Sequence, residues 1–414
     1  MLNRRVLLAA GLSASARAND RDPLVVASYP SLDEGIKVAK PLFETHLQAD
    51  RLRLRSLSYS DHHNAMLTSL ATGTSLPDLM GLELDFISKL IESGALEDLR
   101  KPPYLALRHA AALVPYTLAQ ARRSDGALCA LPVDIGPGCL FYRHDLLQQA
   151  HVDPQQLTGS WADFLAAGRQ VKMRTGRLLI PSANSLAKLV VRANVPNGQG
   201  IFFDADNRPL FNEARFELAF ELARQARRDG LDGKVTAWST EWAEGFRRGR
   251  FVTEMSGAWM AGQMATYIAP GTKGLWRASH LPAGAYASWG GSFYAIPAAL
   301  PPERKLRAWR LLEFLATNHA MQLAAFKRLD AYPALLSAAQ DAFLEQPVEF
   351  LGGQAARKIW REASTRIPAL VVNRLDRMAI EVMTAEMDRV LEGGKPIPAA
   401  LRDAQRKVLR RARR

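Results

Sequence analysis

At 414 residues with 48% hydrophobic content, the chain exceeds the roughly 250–300 residues at which a single core stops growing, so more than one packed core is expected. Charged residues at 23% and ordinary Gly and Pro usage speak against a disordered or coiled-coil chain. The net charge of +13 comes without a basic block interleaved with aromatics, which argues against nucleic-acid binding and reads as solvated helix faces, with an anionic ligand or an acidic membrane surface as the remaining uses.

The chain opens with Arg4-Arg5, an apolar run from Val6 to Leu12, and Ala16-Arg17-Ala18. These are the three regions of a secretory signal spanning 1–18, with cleavage near Ala18; the run is too short to cross a membrane, and the Arg pair leaves a twin-arginine route open. No Cys lies near the cleavage site, so the expected location is the bacterial periplasm, without a lipid anchor attached there. Removing 1–18 leaves a charge of +10, much of it at Arg402, Arg406, Lys407, Arg410, Arg411, Arg413 and Arg414. Cys129 and Cys139 are too few for a disulfide framework; they either pair or lie as buried thiols. No metal-ligand spacing is present, because the adjacent His62 and His63 point different ways, and no phosphate loop, dinucleotide fingerprint or nucleophile elbow appears, so neither metal nor cofactor is expected.

Taken in order, Pro23–Ala27 reads as a strand and Leu32–His46 as a helix with apolar residues at helical spacing. Arg51–Leu57 alternates Leu with Arg as a half-buried strand does. A helix capped by Ser60-Asp61 runs to Gly73, a strand follows over Pro77–Leu82, and a helix over Phe86–Ser93 ends at Gly94. Strand and helix alternate three times, the pattern of a parallel sheet, and such sheets bind ligands beyond their carboxyl ends. Tyr29, Asp61, Glu83, Asp85 and Asp134 fall at or just after such ends. Around Asp134 the stretch Cys129–Leu147 reads as a strand, a tight turn through Gly136-Pro137-Gly138, and a second strand, either a passage between two lobes or an ordinary hairpin.

Five passages then carry a resemblance. Leu70-Ala-Thr-Gly-Thr-Ser-Leu-Pro-Asp-Leu79 with Gly94-Ala-Leu-Glu-Asp-Leu99, and Leu131-Pro-Val-Asp-Ile-Gly-Pro-Gly138 with Leu140–Leu147, are joined by Phe246–Met255 with Gly257-Ala-Trp259, by Pro282-Ala-Gly284 with Gly290-Gly-Ser292 and Ala295-Ile-Pro297, and by Ala399–Gln405. In this order they resemble the extracellular solute-binding proteins of ABC importers, family 1, the sugar-binding group. The resemblance implies an α/β, two-lobe periplasmic-binding-protein fold of type II kind, each lobe a mostly parallel sheet flanked by helices, joined by a multi-strand hinge. Lobe one would hold 19–134 and 283–328, lobe two 138–280 and 332–414, with crossings near 134–138, 280–283 and 328–332. Within lobe two, Arg177–Pro181 and Phe251–Met255 should be strands and Phe216–Arg228 an amphipathic helix.

A sugar presents a ring of hydroxyls and two apolar faces, so its receptor needs carboxylates and flat aromatics. Glu83, Asp85 and Asp134 are the carboxylates at strand ends; Asp61 is divided between ligand contact and helix capping. Trp259 and Trp289 sit where the resembling family meets its ligand, Trp289 before Gly290 and Gly291, whose lack of a side chain lets backbone approach closely. Trp238 lies in a polar loop, Tyr29 and Tyr332 are loop aromatics, and Arg328 lies near the third crossing. Trp161, Trp242, Trp309 and Trp360 sit in helical patterns and belong to cores. The reading is a monomeric receptor, not an enzyme, that closes around a sugar or oligosaccharide and delivers it to the transmembrane subunits of an ABC permease. The alternatives are a receptor for an anionic solute such as glycerol phosphate or a sugar acid, and a secreted carbohydrate-active enzyme.

Overall fold

The computed structural model describes residues 22–47 and 51–412, so the leader read over 1–18 lies outside the described residues. The first elements follow the hydrophobic pattern. Strand β1 (Leu24–Ser28) buries Leu24, Val26 and Ala27, and helix α1 (Leu32–Leu47) covers it with Ile36, Ala39 and Phe43 on one face. After β2 (Leu52–Ser56), helix α2 (Tyr59–Thr72) starts at a Ser58 cap, two residues before the expected Ser60-Asp61, and ends at Gly73 with φ of 68°. That left-handed conformation suits a residue without a side chain. Strand β3 (Leu79–Glu83) passes without a loop into α3 (Leu84–Ile91).

The remaining strands are β4 (Leu131–Arg143), β5 (Thr253–Gly257), β6 (Trp276–Ser279), β7 (Ser288–Ala295) and β8 (Tyr332–Pro333). Their order is β2-β1-β3-β7-β4-β5, with β6 and β8 also paired to β4. Only β1 with β2 and β1 with β3 are parallel; β3 with β7 and every pairing of β4 with a named strand are antiparallel. The sheet is therefore mixed, which corrects the expectation of mostly parallel sheets. Hydrophobic alternation marks a strand but not its direction, and β7 returns along the path by which β4 leaves.

The expected turn at Gly136-Pro137-Gly138 is also corrected. β4 is one strand of 13 residues, its first half paired with β7 and β8 and its second half with β5 and β6. Register shifts fall between Pro132 and Asp134 and between Ile135 and Pro137, so the strand bends there without turning back. The glycines serve close approach: a Cβ on Gly136 would stand 1.8 Å from the Trp289 carbonyl oxygen, and one on Gly138 2.8 Å from that of Ala287.

Three apolar clusters surround this strand. One joins β1, β3 and α3 to Phe293–Ile296 and the helix Pro302–Thr317. A second gathers Leu140 and Leu147 with the helices Trp161–Thr175, Ala183–Arg192, Ala214–Arg228, Asp376–Leu391 and Ile397–Ala412. The third packs Phe141, Trp242, Phe246, Trp276 and Trp360 around β5 and β8. The helix Ala214–Arg228 matches the amphipathic stretch read from Phe216 to Arg228. Arg177–Pro181, expected as a strand, makes only isolated bridges, Leu178 to Phe251 and Ile180 to Asp232, and the strand expected over Phe251–Met255 is β5, two residues later. Cys129 and Cys139 are free and buried in different clusters; ten extended residues, on the order of 30 Å, separate them. Among the described residues no helix is long and apolar enough to cross a membrane.

Candidate functional site

The site grows from the end of β3. Glu83 is at once the last residue of the strand and the N-cap of α3: its Oε2 accepts the Asp85 amide at 2.7 Å and the Tyr59 hydroxyl at 2.6 Å. Its own amide donates to His63 Nε2 at 3.1 Å, so the ring proton of His63 is on Nδ1, which donates to the Tyr59 carbonyl at 2.7 Å. Burial pushes His63 down to about 3, which keeps the ring neutral, and it stacks flat on Phe86 with centroids 4.2 Å apart. Tyr29, at the end of β1, meets Tyr59 edge-on at 5.5 Å and donates its hydroxyl to Ser292 Oγ at 3.1 Å. The Ser292 amide donates to Asp134 Oδ1 at 3.0 Å. Strand ends β1 and β3 and the crossing strands β4 and β7 are thus tied into one polar wall.

Charge on this wall is restrained. Burial raises the Glu83 carboxyl above its ordinary value and the neighbouring Asp85 charge adds to it. Burial also acts on Asp85, but the Arg192 guanidinium, donating to Oδ1 at 2.6 Å, outweighs it and holds Asp85 below its usual range. Asp134 is pushed up to about 6 by burial against the opposing hydrogen bonds from Ser292.

Facing the carboxylates are indoles. Trp259, two residues after β5, donates Nε1 to the Trp289 carbonyl at 2.9 Å. Gly290 and Gly291 have φ of 77° and 132°, and a Cβ on Gly290 would lie 3.1 Å from Trp259 Nε1 and 3.4 Å from Glu83 Oε1. The glycine is therefore what admits the Trp259 ring and the second Glu83 oxygen to the same place. Trp238 stacks on Trp259 at 5.9 Å and 25° and leans on the buried Trp242 at 5.0 Å. It is 55% exposed and carries φ of 70°, a conformation unfavourable for a residue with a bulky side chain. Arg192, on the helix Ala183–Arg192, stands 5.2 Å over the Trp289 ring while holding Asp85. Beyond this pair Asp85, Gln120, Arg192 and Asp376 line a small cavity of about 20 Å³. Burial pushes Asp376 there up to about 7.

The structure brings together Tyr29, Glu83, Asp85, Asp134, Trp259, Trp289, Gly290 and Gly291, with Trp238 at the edge. It does not bring in three others. Asp61 is exposed and accepts the Ser58 hydroxyl at 2.6 Å at the start of α2, the capping alternative. Arg328 is exposed and paired with Glu34 at 3.2 Å. Tyr332 is fully buried in the third cluster, its hydroxyl donating to the Ala339 carbonyl at 3.3 Å, because β8 seats its ring inward against Phe326. Sequence reasoning missed Tyr59, His63, Ser292 and Arg192. Tyr59 directly precedes the Ser60-Asp61 that was read as a cap, and Ser292 directly follows the Gly290-Gly291 pair, so both stood beside visible signals; Arg192 lies on a helix with no local mark.

A mixed sheet whose central strand is shared by two strand groups, with carboxyl groups and indoles where the groups meet, is an architecture that suits a solute-binding protein. The chain belongs to the bacterial extracellular solute-binding protein family, whose model matches residues 43–351. It is similar to a lactose-binding protein of Rhizobium radiobacter, 23% identical over 285 residues, 65% of this chain; the match spans 64% of that relative's length. Among solved structures it shares the fold of an extracellular solute-binding protein family 1 member, with a TM-score of 0.80, 24% identity and coverage of 94% of this chain and 99% of the other. It also shares the fold of an ABC transporter associated binding protein from B. animalis subsp. lactis Bl-04 in complex with beta-1,6-galactobiose, with a TM-score of 0.73, 19% identity and coverage of 93% and 95%.

Proposed function

We propose that the protein is a periplasmic receptor of an ABC importer that closes two lobes around a neutral sugar or short oligosaccharide and delivers it to a permease. The observation that carries this reading is the meeting of the Glu83 carboxyl group, one of whose oxygens has no hydrogen-bond partner among the described residues, with Trp259, Trp289 and the exposed Trp238 beside Gly290. Carboxyl groups that exchange hydrogen bonds with hydroxyls and indole faces that cover ring CH groups are what a sugar requires. The sugars named for the lactose-binding relative and the galactobiose complex point the same way. The lobes would comprise the strand group β2-β1-β3-β7 with its cluster and the group around β5 and β6 with the other two, β4, β7 and β8 forming the hinge. Arg192 with Asp85, and Arg377 at 5.0 Å over Phe86, would then be contacts of the closed form, so that ligand shifts the population toward closure. An anionic solute is disfavoured by the acidic side chains Asp85 and Asp134 in the wall, and the buried Arg192 beside them is already paired with Asp85.

The test is calorimetry and thermal shift of the purified protein against neutral mono-, di- and trisaccharides, with uronic and phosphorylated sugars alongside, and small-angle scattering with and without the best binder. Micromolar or tighter binding of a neutral sugar with a fall in radius of gyration is the expected result. Binding of only the anionic set, or of none, would overturn it.

A further inference from the structure

The helix Ile397–Ala412 is set against the helices Asp376–Leu391 and Ala214–Arg228 through Ile397, Ala400, Leu401, Ala404 and Val408, all buried. Its opposite side carries Arg402, Arg406 and Arg410, spaced four residues apart and all exposed, with Leu409, 37% exposed, beside them. At 1.5 Å per residue the three guanidiniums form a row about 12 Å long on a fixed helix. Arg406 is paired with Asp403, whereas Arg402, Arg410 and Arg411 have no carboxylate within ion-pair distance among the described residues. The sequence continues with Arg413 and Arg414. None of these residues lines the candidate site, so neither the ligand nor closure accounts for them.

We propose that this arginine row is a docking face for an anionic phospholipid surface. A row of three exposed cations on a buried-backed helix, two of them without a carboxylate partner among the described residues, matches a plane of phosphate headgroups, to which Arg donates paired hydrogen bonds, and Leu409 can enter the headgroup layer beside them. Each cation near such a surface contributes about fivefold to partitioning, so three contribute about 100-fold, enough for reversible attachment that salt dissolves. Such attachment would keep a receptor without a membrane-spanning helix among its described residues close to a membrane-embedded partner. The face is independent of the sugar reading, since it would work for any ligand.

The test is flotation of the purified protein with vesicles of phosphatidylcholine alone or with 30% phosphatidylglycerol, at 20 and 150 mM NaCl. The expected result is binding to the anionic vesicles only, weakened at the higher salt. Arg402→Gln/Arg406→Gln/Arg410→Gln should lower it about 100-fold, while Arg53→Gln/Arg122→Gln/Arg174→Gln, which removes the same charge elsewhere on the surface, should leave it within about threefold. Circular dichroism melts of both variants check that folding is kept. Equal losses in the two variants, or no binding at 20 mM NaCl, overturns the proposal. So does attachment only to native membranes that protease treatment abolishes, which assigns the face to a protein partner.

Discussion

Arg192→Met tests whether the Asp85 contact belongs to closure. The guanidinium is buried, bonds Asp85 Oδ1 at 2.6 Å and covers the Trp289 ring. Removing one partner of a buried ion pair costs about 3–5 kcal/mol because the other charge is left without compensation. Asp85 retains 34% side-chain exposure, so solvent screening reduces the expected cost to about 2 kcal/mol. Methionine keeps much of the volume over Trp289, which isolates the charge. If the contact forms only on closing, the open form hydrates Asp85 and the whole cost falls on the ligand-bound state, weakening Kd about 30-fold while the melting temperature of the unliganded protein changes little. Asp85→Asn in the same chain should restore part of the affinity, because no carboxylate then remains unpaired. Calorimetric titration and scanning of the single and double variants read both quantities. Affinity within threefold of the parent, together with a fall of several degrees in the unliganded melting temperature, would refute the reasoning and make the pair a permanent tie.

Trp238→Ala should weaken binding of a disaccharide five- to tenfold and of a monosaccharide less, since its indole extends the shelf begun by Trp259; its exposure of 55% predicts little change in melting temperature. Asp376 gives a pH signature with a definite sign. With the folded carboxyl raised to about 7 by burial and an ordinary value of about 4 in the unfolded chain, the folded state holds the extra proton, so stability from this group falls as pH rises from about 4 to about 7 and is level above. Thermal melts should therefore show Asp376→Asn matching the parent at pH 4 and exceeding it at pH 8; an unchanged difference across that range counts against a buried acid. Gly136→Ala places a methyl 1.8 Å from the Trp289 carbonyl, where only backbone movement of the crossing strands makes room, and urea unfolding should show a loss of about 3 kcal/mol or more, against a gain of about 0.5–1 kcal/mol for Gly35→Ala inside α1, where the methyl meets nothing.

The parts of this molecule that were legible in the sequence are those in which the signal is local. Alternating Leu and Arg over 51–57 marked β2, Gly73 marked the end of α2, and the carboxylates after β3 stood at a strand end because the apolar run stops there. Gly136-Pro137-Gly138 misled because the same residues serve a turn and a close crossing, and the Trp289 carbonyl that excludes a side chain is 153 residues away along the chain. Tyr332 and Arg328 were placed by nearness to an expected crossing, but β8 is only two residues long and turns Tyr332 into the core, while Arg328 ends on Glu34 of α1. Arg192 and Asp376 could not be found locally, since their significance comes from Asp85, which reaches them only through the fold.

The strand order has a consequence for synthesis. β3 pairs on one side with β1 and on the other with β7, which begins only at Ser288. Between the emergence of β3 and that of β7 lie about 200 residues, roughly 10–40 s of translation at bacterial rates. Through that interval the Leu79–Glu83 edge, apolar and without its permanent neighbour, can recruit any other extended segment, including the same strand of a second nascent chain. A chain built this way gains from being kept extended until its later half exists, and its yield should respond to holdase supply before it responds to any substitution in the binding site.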